Sequence, residues 1–430
     1  MDKNNIGVSQ SSTLSKTKRH KKSNTKKYAT IGVLVIICAL GVFINYFNKN
    51  YIYTNKIAKN IFIEGIDVSN LTKEEAIKSI NENIAPGEIV LNYDGKSNII
   101  SPDEIDLKYN TSEVVNEAYN YTKTDSYFEN IKRFFELDKT SKNFNLKSLY
   151  SESKLSEKVQ NISDSIHVSM KNANVYISDS GNINVSKSTT GKELDIVSTK
   201  ESIYDAIKNK NYNPIDLKVN IKEPRVSTDA AKSVNSLLAE FSTKFSTENE
   251  NRSTNIELSA KATSDVLLMP GEEFSYNNLT GKRTKANGYK DAPVIINGKL
   301  EQDVGGGVCQ VSSTLFNSVL YSGLDVTSRR NHSLKSGYID IGRDAMVSDG
   351  GSDFRFKNQY SHPVYIKNIV NNGVVTSKIY GNISDKKNIS IKVEPYIKDG
   401  LSAAKTYIEY KDANGNVIRT EYVSNSVYKN

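Results

Sequence analysis

One cysteine and one histidine carry most of the chemistry legible in this sequence. The chain has 2 cysteines. Cys38 lies inside an apolar run, and Cys309 lies in Gly305-Gly306-Gly307-Val308-Cys309-Gln310-Val311-Ser312-Ser313. A single thiol outside that run cannot close an internal disulfide, which leaves an intermolecular bridge, an inert buried thiol or a reactive one. The flanks favour reactivity. Glycines before the thiol let backbone N–H groups approach a substrate. The residues after it read as the start of a helix, whose N-terminus favours thiolate over thiol. His332 follows 23 positions later, one helix and one connection away. An imidazole beside a helix-terminal thiol is the pairing that nucleophilic cysteine enzymes use. Gly306 and Gly307 are then candidates to hold a developing oxyanion through their amides. A third group should orient the imidazole. Asp344, Asp349 and Asp353 are the candidates, with Asp353 taken as the working choice.

The bland alternative is a small buried Cys309 and a satisfied structural His332. No H-x-x-x-H or C-x-x-C pair is present, so no metal or organic cofactor is expected. Ser312 and Ser313 lie outside any G-x-S-x-G elbow, which argues against a serine hydrolase.

The elements that must position these residues read as follows. Tyr28 to Phe47 is a 20-residue uncharged run, about 30 Å long as a helix and enough to cross a bilayer core. Lys16, Lys18, Arg19, Lys21, Lys22, Lys26 and Lys27 precede it, which places the N-terminus in the cytoplasm and the remainder outside. The run exceeds a usual signal-peptide core and lacks a small-x-small cleavage site, so an uncleaved anchor is favoured over a signal peptide. Residues 1–50 hold nine Lys/Arg and one acid, so the net charge of +8 belongs to this segment. The rest carries 48 charges of each sign and gives no reason to expect nucleic acid.

Thr72 with Glu75 makes a capping box before a helix near Lys73–Ile80. Asp94-Gly95 centres a hairpin over 88–100, and a second hairpin covers 174–185. Residues 112–170 read as mostly helical. Hairpin, polar turn and helix recur near 88–119 and 174–207, a weak internal duplication. Ile215–Arg225 alternates as a strand. A helix is expected over about Thr228–Glu240, and a hairpin around Asn297-Gly298. A helix after Cys309 should show one apolar face, Leu315, Phe316, Val319 and Leu320, and end at Gly323.

Several of these pieces carry a family resemblance. Leu268-Met269-Pro270-Gly271-Glu272-Glu273-Phe274-Ser275-Tyr276-Asn277, the glycine–cysteine segment through Asn317, Arg329-Arg330-Asn331-His332-Ser333, Asp344-Ala345-Met346-Val347 and Asp353-Phe354-Arg355-Phe356-Lys357-Asn358 stand in order. Together they resemble a VanW domain. Residues of about 95–222 resemble the peptidoglycan-binding domain that often precedes it.

The resulting expectation is an α+β chain. It has a basic tail at 1–27, a transmembrane helix at 28–47, and a peptidoglycan-binding α+β region at 51–225. A mixed, β-rich VanW domain at 242–385 and a β extension at 386–430 follow. The resemblance implies an L,D-transpeptidase with Cys309 as nucleophile, as in membrane-anchored clostridial members, acting on peptidoglycan stem peptides. Arg329, Gln310 and Ser312 are candidate substrate contacts, although Arg329 is as well suited to pair with an acid and Ser312 to cap the helix. A non-catalytic wall-binding protein and an L,D-carboxypeptidase are the alternatives. Protein partners and oligomeric state are not legible.

Overall fold

A computed structural model describes residues 24–296 and 299–429. The turn at Asn297-Gly298 and residues 1–23 of the basic tail lie outside the described residues. The chain is mixed α+β, with one apolar helix at its N-terminal side. That helix, Asn24–Phe47, is uncharged from Tyr28 onward and exposes its apolar side chains up to Tyr46, while Phe47 is buried. Its length and composition suit a membrane anchor and a signal sequence alike.

The remainder divides into two compact units. The first comprises residues up to Ser165 together with Leu194–Lys218. Thr72 caps the helix Lys73–Asn83, its hydroxyl accepting from the Glu75 amide while the Glu75 carboxylate accepts from the Thr72 amide. This reciprocal cap satisfies two end donors that otherwise have no helical partner. The helix buries Ala76 and Ile80 against Ile61, Ile63, Val114 and Val115. Strands Ile89–Tyr93 and Lys96–Ile100 pair antiparallel across Asp94-Gly95, both at positive φ. Between 111 and 166, helices Thr111–Asn120 and Tyr127–Glu136 are followed by short strands at Lys142–Phe144 and Ser148–Leu149 and by the helix Glu152–Ile166. The returning segment adds the helix Ile196–Asn209 and the strand Ile215–Asp216, which pairs parallel to Ile89–Tyr93.

The second unit takes Ile166–Glu193 and Val219–Asn430. Residues 166–193 and 219–225 therefore sit with the C-terminal unit, whereas a boundary after Arg225 was expected from the sequence. The physical reason is local. Ala173, Val175 and Ile177 bury with Val226, Ala231, Val234, Tyr365 and Tyr380, and the Ala173 amide donates to the Val226 carbonyl.

A second difference lies next door. The expected helix over 228–240 stops at Lys232, and Ser236–Lys244 is a strand instead. It pairs antiparallel with Val374–Gly381 and forms the edge of a four-stranded sheet completed by Val364–Asn371 and Val266–Leu268. Pairing with a distant strand overrides the local helix preference of Leu237-Leu238-Ala239-Glu240.

The helix Val308–Ser322 packs on this sheet and on the helix Glu250–Ala262. It was expected to bury one face; it is buried nearly all round, including Gln310, Ser312, Ser313, Thr314, Asn317 and Ser318. Two further sheets enclose it. One contains Glu273–Ser275, Arg355–Lys357 and Asp325–Ser328; the other contains Ile389–Lys398, Leu401–Lys411 and Val417–Tyr428. Ile389, Ile391, Ile408 and Val423 of the latter join the same core as Val319 and Leu320. Gly323 ends the helix in the left-handed region, φ 69°.

Candidate active site

The helix that begins at Val308 carries Cys309 in its first turn. Three glycines precede it, and each is required by a different neighbour. A Cβ on Gly305 would lie 3.2 Å from Arg283 Cβ. On Gly306 it would lie 2.6 Å from the Pro293 carbonyl oxygen, and on Gly307 3.0 Å from Arg252 Nη1. Gly305 and Gly307 also have φ of 90° and 106°, values side chains disfavour. Asn255, fully buried, holds the loop: its amide nitrogen donates to the Lys290 and Gly306 carbonyls at 2.9 Å each. Gly306→Ala drives a methyl into backbone that cannot yield. It should destabilise the fold by about 1–3 kcal/mol or more. A thermal melt unchanged within 1–2 °C, where each kcal/mol is worth about 2–4 °C, would contradict this.

Cys309 Sγ is half-buried, 3.4 Å from the Val347 carbonyl oxygen and 3.5 Å from the Val347 amide, which donates to it. His332 lines the same cavity as the thiol, about 610 Å³, together with the glycine loop, and the two groups act on each other's charge. On its far side, His332 Nδ1 lies 2.6 Å from Asp344 Oδ2, and the His332 amide donates to the same oxygen at 2.6 Å. His332 and Asp344 are 6% and 1% exposed. The result is a Cys309–His332–Asp344 chain with the imidazole in the middle.

Charge follows geometry. Burial alone would raise the thiol pKa. The hydrogen bond and charge of His332, the Val347 amide and the Arg283 guanidinium outweigh it and hold Cys309 below the ordinary thiol range. Burial pulls His332 down, but its hydrogen bonds to Asp344 and Cys309 and the charges of both raise it to about 10. Asp344 is held below its usual 3.8, burial being outweighed by His332 and Arg329. The favoured state is thiolate beside imidazolium.

The signs for stability follow. The His332 contribution is complete below 6.5, the ordinary value, and fades as pH rises through about 10. The Asp344 contribution is complete above 3.8 and fades as pH falls below it. For reactivity, alkylation of Cys309 by iodoacetamide should change little between pH 7 and 9. An ordinary thiol, with a pKa of about 8.5, gains roughly 25-fold over that interval; a rise of that size in the native protein would show that no ion pair forms.

The remaining sequence candidates fall differently. Asp353 does not orient the imidazole. Its Oδ2 accepts from Ser275 Oγ and Arg355 Nε at 2.7 Å, and its Oδ1 from the Asn277 amide at 2.9 Å. It fastens a short strand to the next helix, and Asp344 takes the orienting position.

Arg329 does not face the cavity. Its Nη2 donates to Asp344 Oδ1 at 3.0 Å, its Nε to the Asp344 carbonyl, and its Nη1 to Ser426 and Ser424 at 2.8 and 3.2 Å. Gln310 touches the cavity wall, but its amide is spent on Arg252, Thr243 and the Lys244 carbonyl. Ser312 Oγ donates to the Ala345 and Cys309 carbonyls at 2.6 and 3.1 Å and is fully buried. Gln310 and Ser312 have no donor left for substrate, and Arg329 is turned away from the cavity toward Asp344.

Sequence reasoning missed two contributors, Arg252 and Tyr428. Arg252 and Arg283 line the cavity, with Arg283 tied to Asp349 and to Asn277 Oδ1. Tyr428 donates from its hydroxyl to Asp344 Oδ1 at 2.6 Å. The only available signal for those two was weak, one arginine in an ordinary polar stretch and one tyrosine among 25.

Comparison with known proteins follows from this core. Residues 251–380, which hold the thiol, imidazole and carboxylate, match the family described as "VanW like protein". The chain carries a VanW-like domain. Residues 99–216 match the family described as "Putative peptidoglycan binding domain". Over 130 residues, 30% of this chain and 43% of the relative, it is 50% identical to the uncharacterized protein YoaR of Bacillus subtilis (strain 168). Over 115 residues, 25% of this chain and 42% of the relative, it is 37% identical to the vancomycin B-type resistance protein VanW of Enterococcus faecalis (strain ATCC 700802 / V583). The chain thus spans about four-tenths of the length of these curated relatives. No solved structure matches. The VanW-like and peptidoglycan-binding matches support a cell-wall-associated function. The strand Val417–Tyr428, which supplies Tyr428 to Asp344, lies beyond the residues matched to the VanW-like family.

Proposed function

We propose that the protein is a cysteine-dependent L,D-transpeptidase that forms 3–3 cross-links between peptidoglycan stem peptides. The observation carrying this reading is the Cys309–His332–Asp344 chain opening into a cavity beside a glycine loop. Such a chain suits acyl transfer through a thioester.

Cys309 thiolate attacks the carbonyl at the L-centre of a diamino acid in a tetrapeptide stem. The negative charge passes to the carbonyl oxygen, which meets the first-turn amide of Cys309 and the positive end of its helix. The C–N bond breaks as His332 imidazolium gives its Nε2 proton to the departing D-alanine nitrogen. A side-chain amine of a second stem then attacks the thioester, His332 takes the amine proton, and thiolate leaves. Asp344 fixes the tautomer throughout through Nδ1.

The basic residues clustered between Lys16 and Lys27 support an uncleaved anchor with a cytoplasmic N-terminus. In that topology the two folded units face the wall, and the peptidoglycan-binding match supports retention there.

The test is direct. The full chain and Cys309→Ala are incubated with a defined disaccharide-tetrapeptide, and products are weighed by mass spectrometry. A dimer lacking one D-alanine, absent with Cys309→Ala, is the expected product. Loss of D-alanine without dimer identifies water as acceptor and an L,D-carboxypeptidase. Unprocessed substrate from both proteins rejects the enzyme reading.

A further inference from the structure

We propose that Arg252 and Arg283 form a carboxylate site beside Cys309, so that the acyl donor is a peptide ending in a free α-carboxylate one residue past the scissile bond. The inference rests on the reading above that this cavity receives stem peptides, and it specifies what part of the donor the cavity recognises.

Both arginines lie against the glycine loop, Arg283 through its Cβ and Cγ and Arg252 through its guanidinium. Arg283 packs on Gly305, and Arg252 Nη1 stands over Gly307, two residues before the nucleophile. Both line the cavity that contains Cys309. Each retains a buried donor that finds no hydrogen-bond partner among the described residues: Nη1 of Arg252 and Nε of Arg283. Arg283 is only 8% exposed, and its other nitrogens are committed to Asp349 and Asn277. Arg252 uses Nη2 on Gln310, 2.8 Å away. A buried guanidinium donor left unpaired is costly, which makes these two donors a place for an acceptor from outside the chain.

The charge count fixes what kind of acceptor. The cavity wall holds Arg252, Arg283 and Lys335 against Asp303 and Asp349, and the thiolate–imidazolium pair adds nothing. One net positive charge remains, which suits a monoanion. A dianion such as a phosphate ester would also meet Asp349. Distance decides which carboxylate is taken. In a peptide cut one residue from its end, the terminal carboxyl carbon lies less than about 4 Å from the scissile carbonyl carbon. An anion site beside Gly307, two residues before the nucleophile, is close enough to Cys309 to hold that group. A carboxylate there also anchors the leaving residue while His332 protonates its nitrogen, a use of binding energy that positions the reacting bond.

The experiment uses full-length Cys309→Ala, which cannot turn over, and two probes: a disaccharide-tetrapeptide with a free C-terminal acid and the same molecule as its C-terminal amide. Calorimetry should show the amide binding about 10- to 100-fold more weakly, the loss expected for a charge-assisted contact. Adding Arg252→Met should shrink that ratio several-fold, while Arg252→Lys should retain part of it. Equal affinity for acid and amide, no binding of either at millimolar concentration, or a ratio unmoved by Arg252→Met would each overturn the proposal. The outcomes separate from those for the enzyme reading. Wild type that cross-links acid and amide donors equally keeps the transpeptidase and discards the carboxylate site. Selective acid binding without any product does the reverse.

Discussion

Asp344→Asn is expected to lower thiol alkylation at pH 7 and any acyl transfer by Cys309 on the order of 10²–10⁴-fold, with the fold retained. The carboxylate meets the imidazole Nδ1 and the backbone amide of His332, Nη2 of Arg329 and the hydroxyl of Tyr428. An amide side chain keeps the shape but removes the charge that stabilises imidazolium, and it can present N–H where Nδ1–H needs an acceptor. In hydrolases built on a comparable chain, loss of the orienting carboxylate has an effect of this order. Asp353→Asn is the control. Its carboxylate serves Ser275, Asn277 and Arg355, so it should alter melting temperature while leaving the alkylation rate within about threefold of wild type. Stopped alkylation followed by mass spectrometry on both variants decides between them. Equal losses in the two would refute the assignment of Asp344.

The second large effect concerns the strand Val417–Tyr428. Its removal should abolish thiol activation and destabilise the C-terminal unit by several kcal/mol. Ser424 and Ser426 accept from Arg329, Tyr428 donates to Asp344, and the Val427 carbonyl accepts from Asn331. Stripping partners from a buried charge pair costs about 3–5 kcal/mol. The finer probe is Tyr428→Phe, which deletes one hydroxyl and little volume. It should leave a cooperative melt and reduce alkylation about tenfold or less, because Arg329 still holds Asp344. Full alkylation in the chain lacking 417–430, together with an unchanged melt, would show that the strand is a passive cover.

What the sequence made legible was set by range. The hairpin at Asp94-Gly95 and the capped helix at Lys73–Asn83 depend on residues a few positions apart, and both were readable. Cys309 and His332 were readable because a glycine run before a helix start constrains chemistry locally. The start of the strand Ser236–Lys244, up to Glu240, was misread as helix because the strand's partner, Val374–Gly381, lies more than a hundred residues away. Asp344 and Asp353 were indistinguishable by spacing, since each is an acid in a turn-rich stretch after His332. Only the burial of Asp344 against Arg329 and Tyr428, both remote or ambiguous in sequence, separates them. The all-round burial of the Cys309 helix was hidden for a similar reason. Its serines, threonine and asparagine look like a solvated face until their hydroxyl and amide partners, among them Ala345, Ser377 and Arg343, are brought to them.

Tyr428 stands 119 positions after Cys309, and that separation orders events in time. During synthesis the ribosome makes the thiol, the imidazole and the carboxylate long before it makes the hydroxyl and serines that lock them. Contacts across such a sequence gap form late, because chain closure must precede them. A nascent chain halted before Val417 therefore carries the thiol, the imidazole and the carboxylate without the strand whose serines and tyrosine hold Arg329 and Asp344 in place.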